Sequence, residues 1–113
     1  MGMEYRIEEY ITASGKSPYA EWVNNLRDVV AKSKAAARVD RAAHGNFGDW
    51  KSIAGAKGIY EMRINYGPGY RIYYGIVQQK IILLLAGSIK KDQDRTIAKA
   101  MEYMADYERR VRK

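Results

Sequence analysis

The chain contains no cysteine, which excludes disulfide bonds, thiol catalysis and thiolate metal sites. It also lacks a long apolar run. The longest, IILLLAG at residues 81–87, is far too short to span a bilayer and indicates a buried central strand. The first twelve residues, MGMEYRIEEYIT, carry charges throughout and do not resemble a signal peptide. These absences predict a soluble cytoplasmic protein without membrane contact.

What is present suits one small globular domain. The 113 residues are 47% apolar and 29% charged, and they contain no repeat, low-complexity tract or linker, so we expect a single domain over residues 1–113. The acidic residues are scattered, and the glycine–proline segment at residues 67–69 leads into a strand instead of a helix. We therefore expect no metal and no cofactor.

The positive charge is concentrated in one half of the chain. Residues 1–50 hold seven basic and seven acidic side chains, whereas residues 51–113 hold thirteen basic and six acidic ones, so the whole net charge of +7 lies in the second half. A concentrated positive surface favours a polyanionic partner such as nucleic acid. The alternative is a domain that is basic only for solubility.

Hydrophobic periodicity predicts an α+β fold. A helical pair begins at Ser17-Pro18, breaks at Asp28 or Ser33 and ends before Gly45, and a last helix follows Asp92. Strands are predicted at residues 3–11, 51–54, 59–64, 70–77 and 80–89, and helices at residues 19–30, 31–44 and 93–109. Short turns make consecutive strands antiparallel. We expect a twisted antiparallel sheet with the N-terminal helical pair and the C-terminal helix on one face.

The segment EMRINYGPGYRIYYG, residues 61–75, predicts a hairpin with one polar and one apolar face. Strand side chains alternate, so Glu61, Arg63, Arg71 and Tyr73 should share a face. The apolar residues of both strands should point into the core from the opposite face. An exposed face with two arginines, a carboxylate and a phenol is suited to holding a phosphate.

Several ordered motifs in this region resemble the RelE/ParE toxin superfamily of type II toxin–antitoxin systems. The closest resemblance is to the HigB-like branch, often called addiction module killer proteins. The matching motifs are Gly45-Asn46, Gly48-Asp49-Trp50-Lys51, Glu61-Met62-Arg63, Gly67-Pro68-Gly69-Tyr70-Arg71, Ile81 to Leu85 and Lys90-Lys91-Asp92-Gln93. The resemblance covers nearly the whole chain and is strongest over residues 44–93.

The resemblance implies a RelE-like sheet with an open basic face and the activity of an mRNA interferase. Such an enzyme cleaves mRNA on the ribosome, without a metal, by attack of the 2′-hydroxyl group. Relatives of the ParE type instead inhibit DNA gyrase without nuclease activity, and a third possibility is an inactive toxin fold that only binds partners. In each case the implied partner is a cognate antitoxin, which forms a hetero-oligomer with the toxin, and the nuclease also binds ribosome and mRNA.

The same resemblance implies catalytic roles for Arg71, Lys90 and Lys91, and the polar face of the hairpin adds Arg63 and Glu61 as candidates. Arg71 and Arg63 would clamp the scissile phosphate, since a guanidinium can donate two parallel hydrogen bonds to it. Lys90 and Lys91 would stabilise charge in the transition state, and Glu61 could act as base. The alternatives are a structural ion pair between Glu61 and either arginine, and ordinary solvated lysines.

Three further residues are candidate RNA contacts. Lys51 and Lys57 could reach RNA from the segment before the hairpin, and Tyr73 could stack on a base or pack against an arginine. The chain departs from RelE nucleases in two places: residues 59–61 contain no lysine, and the last helix has no tyrosine at or beside Ile97. His44, the one histidine, is interpreted as a helix-capping or surface residue.

Overall fold

The computed structural model describes residues 3–111, which form a five-stranded sheet and three helices. The strands are β1 (Arg6–Glu9), β2 (Trp50–Ser52), β3 (Ile59–Ile64), β4 (Tyr70–Val77) and β5 (Ile81–Ile89). The helices are α1 (Pro18–Asn24), α2 (Val29–Ala43) and α3 (Gln93–Val111), and a 3-10 turn at Lys90–Asp92 precedes α3. The predicted α+β class is confirmed. Within the described residues, no helix is both long and apolar enough to cross a membrane.

The sheet is mixed, with the strand order β1-β5-β4-β3-β2. Strands β2 to β5 form antiparallel pairs as predicted, and Gln78 and Gln79 both have positive φ, as a two-residue hairpin turn requires. The prediction of an entirely antiparallel sheet is wrong, because β1 pairs with β5 in parallel. The chain leaves β1 through two helices instead of a hairpin, and such a crossover allows the parallel direction.

The N-terminal helical pair is present with different bounds from those predicted. Ser17 caps α1, its hydroxyl accepting a hydrogen bond from the Ala20 amide at 3.0 Å, as the Ser17-Pro18 signal indicates. Asp28 caps α2 and is the break between the helices. Helix α1 therefore ends earlier than predicted, and Val30, expected on the apolar stripe of the first helix, belongs to α2 and is exposed.

The helices lie on both faces of the sheet. Side chains of α1 and α2 pack with Met62, Ile72 and Leu84 on one face, while α3 packs on the opposite face over a cluster that includes Tyr73 and Leu83. The prediction that all helices share one face is therefore wrong. Since β3 to β5 are covered on both sides, side chains on either face of these strands are buried.

Helix α3 uses a slightly different inner stripe from the one predicted. Ile97, Ala100 and Met104 face the sheet, whereas Met101, predicted to be internal, is 43% exposed. The spacing of three and four residues places 97, 100 and 104 on one side of the helix. Position 101 lies beside this stripe.

Gly87 is required by the packing of α1 against β5. A Cβ atom at this position would lie 2.1 Å from Cε3 of Trp22, a distance that forces the indole or the strand to move. We expect Gly87→Ala to reduce the free energy of unfolding by about 2 kcal/mol or more, as overpacking of a core does. Urea denaturation monitored by circular dichroism would measure the change.

Gly75→Ala provides the matched control for this substitution. Its added Cβ would meet Sδ of Met104 at 3.0 Å, at the end of a flexible side chain that can rotate away. We expect a smaller loss of stability than for Gly87→Ala. Equal losses of stability in Gly75→Ala and Gly87→Ala would contradict the explanation based on the contact with Trp22.

His44 lies at the C-terminal cap of α2, as predicted, and pairs with Glu4 across 3.1 Å. The hydrogen bond with Glu4 raises the pKa of His44 above its ordinary value of 6.5. Protonated His44 therefore stabilises the fold below pH 6.5, and this contribution is lost as the pH rises through the raised pKa. In an NMR titration the one histidine should titrate above 6.5, and Glu4→Gln should lower its midpoint. An unchanged midpoint in Glu4→Gln would contradict this assignment.

Candidate functional site

The charged residues of the β3–β4 hairpin share one face, as predicted. Glu61 lies opposite Tyr73 and Arg63 opposite Arg71 in the strand register. The expectation that this face is open to solvent is wrong, because Glu61 is 4% exposed, Arg71 7% and Tyr73 0%. Helix α3 covers this side of the sheet, so the site is the small opening that the helix leaves.

Arg71 lines a pocket of about 270 Å³ at this opening. Its Nε atom is fully buried and is the one such side-chain atom within residues 3–111 that has no hydrogen-bond partner. A buried polar group without a partner costs roughly 1–3 kcal/mol, and more when charged. Nε itself is closed to an anion in the pocket, but the terminal guanidinium nitrogens also lack a protein partner within residues 3–111 and, unlike Nε, are not fully buried.

Glu61 and Lys51 share this pocket with Arg71. Lys51, on the edge strand β2, lies opposite Glu61 in the register and is exposed. Among the residues that the structure describes, neither Glu61 nor Arg71 forms an ion pair. The structural pairing of Glu61 with an arginine, considered from the sequence, is thus not formed, and its carboxylate is available within the pocket.

Arg63 also lines the pocket, but its guanidinium is engaged by Asp49. Its terminal nitrogen lies 2.8 Å from the Asp49 carboxylate, and Nε of Arg63 donates to the same oxygen at 3.2 Å. The charges of the two groups offset one another. Arg63 is therefore close to Arg71 as predicted, but it is a paired cation and not a free arm of a clamp.

Tyr73 is buried and hydrogen-bonded within the protein. Its hydroxyl lies 3.0 Å from that of Ser88, and burial raises the pKa of Tyr73 to about 12. Ser88 is opposite Arg71 in the β4–β5 register. The expectation that Tyr73 presents its ring to RNA is wrong, because no part of the ring surface is accessible.

The remaining predicted lysines lie outside the pocket lining. Lys90 and Lys91 begin the 3-10 turn before α3, and both are exposed. Lys57 is exposed in the connection from β2 to β3. Of the eight residues chosen from the sequence, the pocket brings together Lys51, Glu61, Arg63 and Arg71.

Comparison with known proteins finds one informative relative. The chain is 40% identical over 82 residues to an uncharacterized protein of Haemophilus influenzae, and the match covers 73% of this chain and 81% of that protein. The chain belongs to the family of that protein. No family model matches the chain.

In this member of the family, Arg38 is a buried arginine that sequence reasoning did not select. It is 9% exposed and donates hydrogen bonds to the backbone oxygens of Phe47 at 3.0 Å, Asp49 at 2.9 Å and Arg63. It thereby fixes the loop that carries Asp49 to the end of β3. A signal was available, because Ala31, Ala35 and Ala42 lie on the same buried stripe of α2.

Helix α3 adds two more lining residues, Gln93 and Ile97. Gln93 is the first residue of α3, so its backbone is at the positive end of the helix dipole. Ile97 lies at or beside the position at which the resemblance implied a tyrosine. No cluster of three or more side chains suited to a metal ion occurs in residues 3–111.

Proposed function

We propose that this chain is the toxin of a type II toxin–antitoxin module, a ribosome-dependent mRNA endonuclease with a RelE-like fold. The observation that carries the proposal is the guanidinium of Arg71, which forms no hydrogen bond or ion pair within residues 3–111 and belongs to a side chain that lines a pocket shared with Lys51 and Glu61. An RNA phosphate would accept hydrogen bonds from its terminal nitrogens. The motifs at residues 44–93 support the same assignment.

Arg71 and Lys51 would hold the scissile phosphate, and Glu61 would take the proton of the neighbouring 2′-hydroxyl. The 2′-oxygen then bonds to phosphorus while the bond to the 5′-oxygen breaks, and the leaving oxygen takes a proton from solvent. The products are a 2′,3′-cyclic phosphate and a 5′-hydroxyl end. Donors aimed at the developing charge typically contribute about 3–4 kcal/mol each to such a step.

In this mechanism, flanking RNA is contacted by Lys90, Lys91 and Lys57, which do not reach the reacting atoms. All three are exposed and belong to the basic half of the chain. Contacts of this kind add affinity through counterion release and weaken with salt. An acidic antitoxin that covers this surface would be captured quickly, since complementary charge accelerates association. Ribosomes and mRNA as partners imply a cytoplasmic site of action.

A specific observation favours a second candidate, the ParE-like inhibitor of DNA gyrase. Arg63 is already paired with Asp49, and Lys90 and Lys91 lie outside the pocket lining, so of the four cations predicted to act on the phosphate only Arg71 is both unpaired within the described residues and in the pocket. A protein that inhibits gyrase, or an inactive toxin fold that only binds partners, needs no phosphate clamp. The two classes differ in whether RNA is cut.

Primer extension on a reporter mRNA, with and without programmed ribosomes, tests the proposal. We expect cuts that appear only when ribosomes and the purified protein are both present. Cuts in naked RNA would overturn the ribosome dependence. Absence of cuts, together with a block of gyrase supercoiling in a parallel assay, would establish the second candidate.

A further inference from the structure

A second pocket lies on the opposite face of the sheet and is lined mainly by aromatic rings. It has a volume of about 220 Å³, and its lining consists of Tyr5, Phe47, Trp50, Tyr60, Tyr74 and Ile76. Trp50 is 48% exposed and meets the ring of Tyr60 edge-on, with 5.9 Å between the ring centroids. The floor of this pocket is held by Phe47 and Tyr74, whose rings stack with 5.7 Å between their centroids.

We infer that this aromatic pocket binds a single nucleobase of the RNA whose phosphate lies at Arg71. The inference rests on the proposed function and extends it to a base-binding site. Its volume is below the roughly 300–1,000 Å³ of sites for drug-sized ligands, so it suits one ring system. Base–aromatic stacking tolerates any base, because every base has a π-face.

The edge strand β2 connects the two pockets. Trp50 and Lys51 are adjacent, and alternation sends Trp50 to the aromatic pocket and Lys51 to the Arg71 pocket. Strand β2 is three residues long and lies at the edge of the sheet. A single strand of RNA that crosses this edge can therefore present a phosphate to one face and a base to the other.

Polar atoms in the pocket favour a base over an aliphatic side chain. Neither the Tyr60 nor the Tyr74 hydroxyl has a hydrogen-bond partner in the described part of the chain. No unpartnered tyrosine oxygen there is fully buried, so both hydroxyls keep some contact with solvent, and both tyrosines line the pocket. An aliphatic group would displace water from these hydroxyls without forming hydrogen bonds to them, and burying a hydroxyl without a hydrogen bond costs free energy. The edge of a base offers donors and acceptors.

The test measures binding of a fluorescent 2′-O-methyl hexanucleotide, in which the attacking hydroxyl is blocked, and of an abasic backbone of equal length. We expect Trp50→Leu to weaken binding of the hexanucleotide about 10-fold or more and to leave binding of the abasic backbone within about 2-fold. Trp50→Phe keeps a ring and should restore most of the affinity. Trp50 is half exposed, so neither variant is expected to disturb the core.

The outcomes separate this inference from the function on which it rests. If Arg71→Ala weakens both ligands but Trp50→Leu weakens neither, the phosphate site stands and the base site is overturned. If the unmodified protein binds neither ligand, the base site is overturned, whereas the proposed function stands or falls on the ribosome-dependent cuts seen by primer extension. Quenching of tryptophan fluorescence by an aromatic dipeptide, but by no mononucleotide, in a Trp22→Phe variant that leaves Trp50 as the one tryptophan would overturn the inference in favour of a protein partner.

Discussion

Arg71→Ala is expected to lower ribosome-dependent cleavage by about 100-fold or more while the protein stays folded. The side chain supplies terminal guanidinium donors from which an RNA phosphate in the pocket would accept hydrogen bonds, and removing one donor aimed at developing charge typically costs a factor of about 10²–10³. The free energy of unfolding should change by about 1 kcal/mol, because Nε has no hydrogen bond to lose. Single-turnover cleavage and urea denaturation measure the two quantities.

Two further variants make this expectation specific. Arg71→Lys keeps the charge but loses the planar donor pair, so it should recover only part of the rate. Lys80→Ala removes an exposed cation in the β4–β5 turn, outside the pocket, and should cleave as the unmodified protein does. Full activity of Arg71→Ala would remove the basis of the proposed function.

Arg38→Met is expected to reduce both stability and activity. The substitution removes hydrogen bonds to three backbone oxygens, and bonds from a charged donor are worth roughly 1.5–3 kcal/mol each. We expect a loss of about 3 kcal/mol or more and a fall in melting temperature on the order of 10 °C. Cleavage should also be slower at temperatures below the melting point, because the freed 47–49 loop leads directly into β2, which carries Lys51 into the pocket.

Arg41→Met is the matched control for this second expectation. Arg41 lies one turn further along α2, is exposed and donates no side-chain hydrogen bond within the described residues. The melting temperature of Arg41→Met should stay within about 2 °C of that of the unmodified protein, as is usual for surface substitutions. Equal melting temperatures for the two variants would show that Arg38 does not hold the loop.

The hairpin shows what local sequence can predict. Strands β3 and β4 have the predicted bounds, because alternating residues and glycine at a turn are local signals. Their shared polar face was also predicted correctly. The burial of that face was not predicted, because it depends on where α3 packs. Nothing within residues 59–77 encodes the path of a helix that begins at residue 93.

The candidate site likewise combines features that local sequence predicts with features that depend on contacts between distant segments. Arg71 could be chosen from its motif, and its position opposite Arg63 follows from the hairpin register. The ion pair between Arg63 and Asp49 depends on the pairing of β2 with β3 and on the loop held by Arg38. These are contacts between segments 9 to 25 residues apart, whose geometry exists only in the folded chain.

The parallel pairing of β1 with β5 has a kinetic consequence. Arg6 lies opposite Ile81, so this strand pair must close a loop that contains most of the chain, whereas β3, β4 and β5 join through short hairpins. Distant pairings form slowly because loop closure costs entropy before contacts repay it. We expect the meander to fold first and β1 to dock last. During synthesis the first strand has no partner until residues 81–84 have left the ribosome, so β1 stays an unpaired segment for most of the translation of the chain.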